Sequence, residues 1–178
     1  MENDSLNEFS DILISPSAVD TLAFTNAMAV AATGVNVVTS KGVAGQFGLT
    51  VSALSSVSAE PPLLLVCLNR RSPSVAGITQ NGRFAVNILA EAQQEVARVF
   101  AGRPSEGEAY DFSRHEWAES ASGLPILNGA AATFCCDIES IHDAGTHRIF
   151  IGRVIEVQRG TQKPLIYSNR HFGRMAEL

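Results

Sequence analysis

The run from Gly48 to Asn69 constrains the fold more than any other part of the sequence. It begins with small and hydroxylated residues, is interrupted at Pro61-Pro62, and ends in an apolar segment. We predict two strands, 47–58 and 62–69, because proline is excluded from the interior of a sheet ladder. The second strand is apolar on both faces, which is typical of a strand in a closed or covered sheet. The small side chains of the first strand would let a flat ligand approach the backbone, so we call the whole run the binding wall.

The remaining pattern predicts strands in series with a few short helices between them. Strands that follow one another in this way indicate a mostly antiparallel β-barrel with flanking helices rather than a parallel α/β sheet. At 178 residues we expect a loose N-terminal arm, 1–14, and a single domain, 15–178. The other predicted elements are a helix capped by Ser15 or Ser17 that runs through Ala32 and stops at Gly34, helices from Ser72-Pro73 to Asn81-Gly82 and over 91–100, strands at 35–40, 84–89, 128–142, 147–158 and 164–168, and a surface excursion at 103–124 anchored by Tyr110, Phe112 and Trp117.

Composition excludes several classes of partner. The formal net charge of -5 argues against nucleic acid. Charged residues make up only 17% of the chain, which fits a protein that buries additional surface against a partner subunit. The acidic, polar N-terminus is unlike a secretory or transit peptide, and the apolar run 63–68 is too short to span a membrane. Three cysteines without disulfide or metal spacing indicate free thiols and a cytoplasmic protein.

Three glycines with the spacing G-x-x-G-x-x-G lie at the start of the binding wall: Gly42, Gly45 and Gly48. A dinucleotide-binding fold requires G-x-G-x-x-G followed by a helix, whereas a strand follows here. We therefore interpret Gly42 and Gly45 as hairpin and packing glycines. Gly48 is interpreted as the open start of the binding wall.

Hydroxyl side chains recur along the first predicted strand. Thr50, Ser52 and Ser56 share parity, so they face one side of the strand if no bulge intervenes. They either contact a ligand or form an ordinary solvent-facing row.

Two further serines come where the apolar strand runs into a helix. Ser72 and Ser74 lie beside the free amide groups of that helix start, with Arg70 and Arg71 just before them. Such a site would bind a phosphate, helped by the helix dipole. An ordinary serine cap would give the same pattern.

Gly145-Thr-His147 places a histidine at the start of a predicted strand. A lone histidine is more often structural, and with only His142 nearby no metal site is predicted. The sequence contains no G-x-S-x-G, C-x-x-C, H-E-x-x-H or P-loop motif. A binding wall without a nucleophile and base is expected when a cofactor carries the chemistry, because hydride transfer needs orientation more than acid–base help.

A series of short motifs resembles one protein family in the order in which the motifs occur. They are Thr33-Gly-Val-Asn-Val-Val-Thr39, Gly48-Leu-Thr-Val-Ser52, Ser56-Val-Ser58, Pro61-Pro62, Cys67-Leu-Asn69, Phe84-Ala-Val-Asn-Ile-Leu89, Phe100-Ala-Gly102, Gly145-Thr-His147 and Pro164-Leu-Ile-Tyr167. Over roughly residues 20–175 the chain resembles the short-chain flavin reductases with an FMN-binding split barrel. These include the reductase components of two-component aromatic monooxygenases.

The resemblance implies a six-stranded antiparallel Greek-key barrel that works as a homodimer. It implies FMN or FAD as the flavin and NADH or NADPH as the co-substrate. His147 is assigned to the nicotinamide, and Thr146 stands where many members have Asp. The remaining implied contacts are Leu49, Thr50, Val51, Ser52 and Ser56 on the ring side, Cys67, Leu68 and Asn69 on the opposite side, Ser72 and Ser74 at the ribityl phosphate, and Phe100 and Arg103 closing the site.

The function that follows from the resemblance is NAD(P)H:flavin oxidoreductase, with reduced flavin supplied to a partner monooxygenase. A second candidate is a reductase that holds FMN tightly and passes electrons to another acceptor, such as a corrinoid cobalt or ferric iron. A non-catalytic flavin- or haem-binding split barrel and a small barrel with a structural role also fit the pattern. The sequence does not separate FMN from FAD, and the lack of an assignable basic patch for a 2′-phosphate favours NADH over NADPH.

Overall fold

The computed structural model describes residues 19–176, and antiparallel strands dominate it. The predicted arm, 1–14, lies outside the described residues, and its separation from a domain at 15–178 stays a prediction. The helices are α1 (Thr21–Ala29), α2 (Pro73–Asn81) and α3 (Gln94–Phe100). The strands are β1 (Thr33–Gly34), β2 (Asn36–Gly42), β3 (Gly45–Val51), β4 (Leu54–Ala59), β5 (Pro62–Asn69), β6 (Arg83–Ile88), β7 (Trp117–Glu119), β8 (Pro125–Leu127), β9 (Ala132–Ala144), β10 (His147–Arg159), β11 (Ile166–Ser168) and β12 (His171–Gly173).

Seven strands form the main sheet, in the order β3-β2-β6-β9-β10-β5-β4. Every neighbouring pair in it is antiparallel. The predicted class, mostly β with flanking helices, is confirmed. The main sheet has seven strands where the resemblance implied six.

A two-residue link explains the additional strand. Ser52 and Ala53 separate β3 from β4, which lie at opposite ends of the sheet order, so the prediction of one strand over 47–58 is wrong. Three peptide units span at most about 11 Å, so the sheet must roll until its two edges approach each other. The link itself bridges them, because the Cys67 N–H of β5 donates to the Ala53 carbonyl at 3.1 Å. β3 and β4 do not pair directly, and the barrel stays open between these two described strands.

The N-terminal helix is shorter than predicted. Ser15 and Ser17, the predicted caps, lie outside the described residues, and Asp20 caps α1 instead. The helix ends at Ala29, because the chain then enters β1, which contains Gly34 and pairs with β11. Within residues 19–176, no helix combines the length and apolar character needed to cross a membrane.

The second half of the chain follows the predicted order more closely. The helix that opens after Ser72 is confirmed as α2 and ends at the left-handed Gly82. The predicted surface excursion, 103–124, contains a short 3-10 turn and β7. Phe112 and Trp117 anchor it by packing against a buried cluster around α3.

A buried amide joins four strands near the middle of the sheet. Asn87 on β6 is fully buried. Its amide donates to the Val37 carbonyl at 3.1 Å and to Thr39 Oγ1 at 3.3 Å. Its carbonyl accepts from Leu127 N–H at 2.8 Å and from Thr133 Oγ1 at 3.3 Å. Because each polar atom has partners, the group fixes β2, β6, β8 and β9 together without the penalty of an unpaired buried polar group.

The three glycines before the binding wall serve packing. Gly42 and Gly45 are partners across the β2–β3 turn, which confirms their interpretation as hairpin glycines. Gly48 lies beneath aromatic rings, since a Cβ built on it would lie 2.5 Å from Phe100 Cδ1 and 3.0 Å from Phe112 Cζ. The side of Gly48 on which a Cβ would project is therefore filled by these rings. The interpretation of Gly48 as open to a ligand is wrong for that side.

We expect Gly48→Ala to destabilise the fold, because the added methyl overlaps rings that are themselves packed in the core. Overpacking of this kind costs about 1–3 kcal/mol. Urea unfolding of flavin-free protein at fixed concentration measures it. Gly34→Ala is the matched control, since nothing lies within 4 Å of its built Cβ. Equal stability of the two variants would contradict the packing role of Gly48.

Candidate active site

A cleft of about 480 Å³ opens along the free edge of β3, and we call it the β3 cleft. Thr50, Val51 and Ser52 line one side, and α3 and the β11–β12 hairpin supply the rest. Its volume lies within the range of about 300–1,000 Å³ that small-molecule sites occupy. Of the remaining predicted site residues, Arg103 also lines it.

β3 presents backbone polar groups to this cleft. It is an edge strand of the main sheet, so alternate peptide groups have no partner strand. The Gly48 carbonyl faces away from β2, toward Ser74 Oγ at 3.5 Å. Thr50 has the same parity as Gly48, so its N–H and C=O point to the same open edge. The N–H and C=O groups of this open edge can hydrogen-bond to the ring nitrogens and carbonyls of a flat heterocycle.

The hydroxyl groups of the cleft differ in what they contact. Thr50 Oγ1 donates to the Ala97 carbonyl at 2.8 Å, which ties β3 to α3. The Ser52 side chain is exposed and makes no hydrogen bond to residues 19–176. Thr50 therefore positions the strand, while the Ser52 hydroxyl remains available to a ligand.

A second group of predicted residues meets where β5 ends and β10 begins. Asn69 and His147 are direct cross-strand partners, and both are exposed. Thr146 Oγ1 lies 2.9 Å from His147 Nδ1, so Nε2 is the ring nitrogen left for a ligand. Thr146 thus supplies a side-chain partner for His147. The hydrogen bond from Cys67 N–H to the Ala53 carbonyl connects the link beside the β3 cleft to β5, the strand that ends at this group.

The two serines of the predicted phosphate site have different environments. Ser72 occupies the N-cap position of α2 but makes no side-chain capping bond. The interpretation of Ser72 as an ordinary cap is therefore not supported, and its hydroxyl is free to bind an anion. Ser74 is buried, and its hydroxyl is directed at the Gly48 carbonyl within the fold.

Four further predicted contacts also do not line the β3 cleft. Phe100 is fully buried with its ring centroid 4.8 Å from that of Phe112, so its side chain does not close the site as predicted. Leu68 is also fully buried, which leaves only its backbone for a ligand. Leu49 packs against the core, and Ser56 is exposed on β4 at the opposite edge of the sheet.

Sequence reasoning missed two arginines of the cleft, Arg98 and Arg170. Arg98 is the one basic residue of α3 and Arg170 lies in the β11–β12 turn, and nothing in the local sequence marks either as functional. The local sequence carries only a weak signal, Asn169, because asparagine tolerates the positive φ that Asn169 and Arg170 both adopt in this two-residue hairpin turn.

The profile of the flavin reductase like domain matches residues 28–176. The chain belongs to the flavin reductase family. It is 40% identical to the 4-hydroxyphenylacetate 3-monooxygenase reductase component of Pseudomonas aeruginosa, over 86% of this chain and 91% of the relative. It is 36% identical to the FMN reductase (NADH) RutF of Variovorax paradoxus, over 91% and 89%. The NADH:FAD oxidoreductase SgcE6 of Streptomyces globisporus, solved with NAD and FAD fragments, superposes with a TM-score of 0.81 at 31% identity, covering 88% of this chain and 93% of that one.

Membership of the flavin reductase family agrees with the rolled, open sheet, which fits the split-barrel class. The residues present also fit a flavin. The open edge of β3 offers peptide groups to ring nitrogens and carbonyls, and the free Ser72 hydroxyl and Arg103 offer donors to a phosphate.

The three thiols provide a direct test of where a flavin binds. Burial raises the pKa of Cys67, of Cys135 and, to about 12, of Cys136, so all three are protonated near neutral pH. Only Cys67 is partly exposed. We expect a thiol-disulfide reagent at pH 8 to modify one residue, Cys67, slowly and faster as the pH rises, because the thiolate is the reactive form.

Saturating FMN should slow this modification, because Cys67 adjoins the Ala53 link. Cys67→Ser is the control and should abolish labelling of the folded protein, while urea exposes the two remaining thiols. Labelling that is unaffected by FMN would place the flavin elsewhere.

Proposed function

We propose that the chain is a flavin reductase that transfers a hydride from NADH to FMN or FAD. The observation that carries the proposal is the connection of two polar groups on one wall: the open β3 edge is joined by the Cys67–Ala53 hydrogen bond to β5, which ends at Asn69 beside His147. This wall offers hydrogen-bonding groups for the edge of a flavin at β3 and for a nicotinamide carboxamide at His147, so the two rings can stack over the surface between these ends. The family relationship supports the same activity.

A flavin held here would supply the redox chemistry, since it is the group that takes up the hydride. The chain's own contribution is orientation and electrostatics. The peptide group of Thr50 and the N–H of Ser52 would hold the pyrimidine edge of the ring, and N–H donors there would favour negative charge on it. The Ser72 hydroxyl and the first amides of α2 bind the phosphate. His147 Nε2, its ring held through Nδ1 by Thr146, orients the nicotinamide carboxamide.

We infer a monooxygenase as the acceptor of the reduced flavin, because the relative from Pseudomonas aeruginosa is by name a monooxygenase reductase component. The cytoplasm is the expected compartment. All three cysteines are free, as is usual where thiols are kept reduced.

Anaerobic spectroscopy tests the activity. Protein mixed with FMN and NADH should bleach the visible absorbance of the flavin at a rate that depends on protein concentration. Flavin binding without bleaching would support a non-catalytic flavin-binding protein. A yellow protein that releases no reduced flavin during turnover would support a reductase that keeps its FMN and passes electrons to another acceptor.

We expect His147→Ala to lower kcat/KM for NADH by about ten- to a hundredfold, the loss of one oriented hydrogen bond. Flavin affinity, measured by fluorescence quenching, should be unchanged, because His147 lies at the far end of the surface from β3. His142→Ala is the matched control, an exposed histidine on the neighbouring strand β9. Equal effects of the two substitutions would exclude a specific role for His147.

We also propose that the protein is a homodimer with α1 in the interface. No α1 residue is buried against the described chain. Apolar side chains on and beside it are strongly exposed, among them Leu22 at 64% and Phe24 at 58%. A nine-residue helix is not stable on its own, so a covering surface is required. A second copy supplies one, in keeping with the low charge fraction of the chain.

Light scattering after size exclusion should therefore give a dimer for the native protein and a monomer for the double variant Leu22→Glu/Phe24→Glu. Charges placed in an apolar interface are desolvated without partners, which opposes association. Thr25→Glu, an exposed polar position on the same helix, is the control and should remain dimeric. A monomeric native protein, or a dimeric double variant, contradicts the assignment.

A further inference from the structure

The two-residue turn that precedes His147 is held against a second connecting segment of the chain. Gly145 and Thr146 form this turn between β9 and β10, and Gly145 has a positive φ of 56°, as such turns require. Arg70 lies in the segment that joins β5 to α2. Its N–H donates to the Thr146 carbonyl at 3.0 Å, and its Nη1 donates to the Gly145 carbonyl at 3.4 Å. Both carbonyls of the turn are therefore bound by one residue.

The Asp143 carboxylate joins two arginines beside the turn. Asp143 and Arg148 are cross-strand partners, and Arg148 donates to Asp143 Oδ1 at 2.7 Å and to Oδ2 at 3.1 Å. Arg70 Nη2 lies 3.7 Å from the same Oδ2. The hydrogen bond from Arg148 is the main cause of a lowered pKa of Asp143, and the charge of Arg70 also lowers it, so the carboxylate is ionised at neutral pH. One anion thus orients the guanidinium group that binds the Gly145 carbonyl.

The place of this ion pair in the hairpin distinguishes it from an ordinary surface pair. On the same two strands, Arg153 donates to both oxygens of Glu139 at 2.9 Å. That pair links β9 to β10, which the strand ladder already holds together. Asp143 instead lies where the ladder ends, and through Arg70 it reaches a third segment. An exposed pair adds little to global stability, but one at a turn can limit local opening.

The position of the His147 ring follows from the position of the turn. Thr146 Oγ1 lies 2.9 Å from His147 Nδ1, so a displacement of Thr146 moves the hydrogen-bond partner of the ring. Asn69, the cross-strand partner of His147, directly precedes Arg70. The contacts of Arg70 with the turn therefore fix the histidine relative to the end of β5.

We propose that Asp143 is a positioning residue for His147. Through Arg148 and Arg70 it fixes the β9–β10 turn, and so holds the His147 ring where it meets the nicotinamide. The inference rests on the proposed function for the role of His147 toward NADH. The attachment of the turn is a property of the protein without ligands, and it can be measured separately.

Amide hydrogen exchange, followed by NMR on protein without flavin or NADH, tests the attachment of the turn. Asp143→Asn keeps the shape of the side chain and removes its charge. We expect the Arg70 N–H to exchange about two- to fivefold faster in this variant, the effect of one weakened ion pair. Glu139→Gln is the matched control and should leave the rate unchanged. An unchanged rate in Asp143→Asn, or an equal increase in both variants, overturns the proposal.

A double-mutant cycle on kcat/KM for NADH tests whether Asp143 acts through His147. Alone, Asp143→Asn should lower kcat/KM about two- to fivefold, and Glu139→Gln should leave it unchanged. In the His147→Ala background, Asp143→Asn should have no further effect, because the ring that it positions is absent. Additive losses would show that Asp143 acts on something other than His147, against the proposal.

Both carboxylates are exposed, so Asp143→Asn and Glu139→Gln should keep the native melting temperature. Native protein that never oxidises NADH would refute the proposed reductase activity. The exchange rate of the Arg70 amide would still decide whether Asp143 fixes the turn, so the two failures are distinguishable.

Discussion

The Ser52-Ala53 link is the constraint on which the architecture depends. It joins strands at opposite ends of a seven-stranded order through only two residues, so the sheet can exist only in rolled form. Rolling brings β5 to the link and leaves β3 with an unpaired edge. The β3 cleft lies along that edge. The Cys67–Ala53 hydrogen bond joins the link to β5, whose last residue, Asn69, pairs with His147.

Much of the fold could be predicted from local patterns, and the failures have physical causes. The strand 62–69 and helix α2 are predictable because proline, serine and glycine mark their ends. The break at Ser52-Ala53 carries no such mark, since neither residue disfavours a strand strongly. It is set by tertiary geometry. The helix end near Ala29 is missed for a related reason, because pairing of β1 with β11 overrides the local stop at Gly34.

The site was predicted less completely than the fold. The sequence and the family resemblance point to Thr50, Ser52 and Arg103, which all line the β3 cleft, but they do not tell whether a side chain faces a ligand or the core. Phe100 and Ser74 are predicted to contact the ligand, but the Phe100 ring is buried in the core and the Ser74 hydroxyl is directed at the Gly48 carbonyl. The sequence does not show that Arg98 and Arg170 belong to one site, because only the packing of the β11–β12 hairpin beside α3 places them in the same cleft.

The buried thiols have a consequence for the durability of the enzyme. Reduced flavin that reacts with oxygen generates hydrogen peroxide close to the protein. The thiolate is the form of cysteine that peroxide oxidises. Cys135 and Cys136 are screened from solvent and kept protonated, with the pKa of Cys136 raised to about 12. Burial in the core thus protects the sulfurs of Cys135 and Cys136 from hydrogen peroxide. Oxidation of the protein should begin at Cys67, the partly exposed thiol.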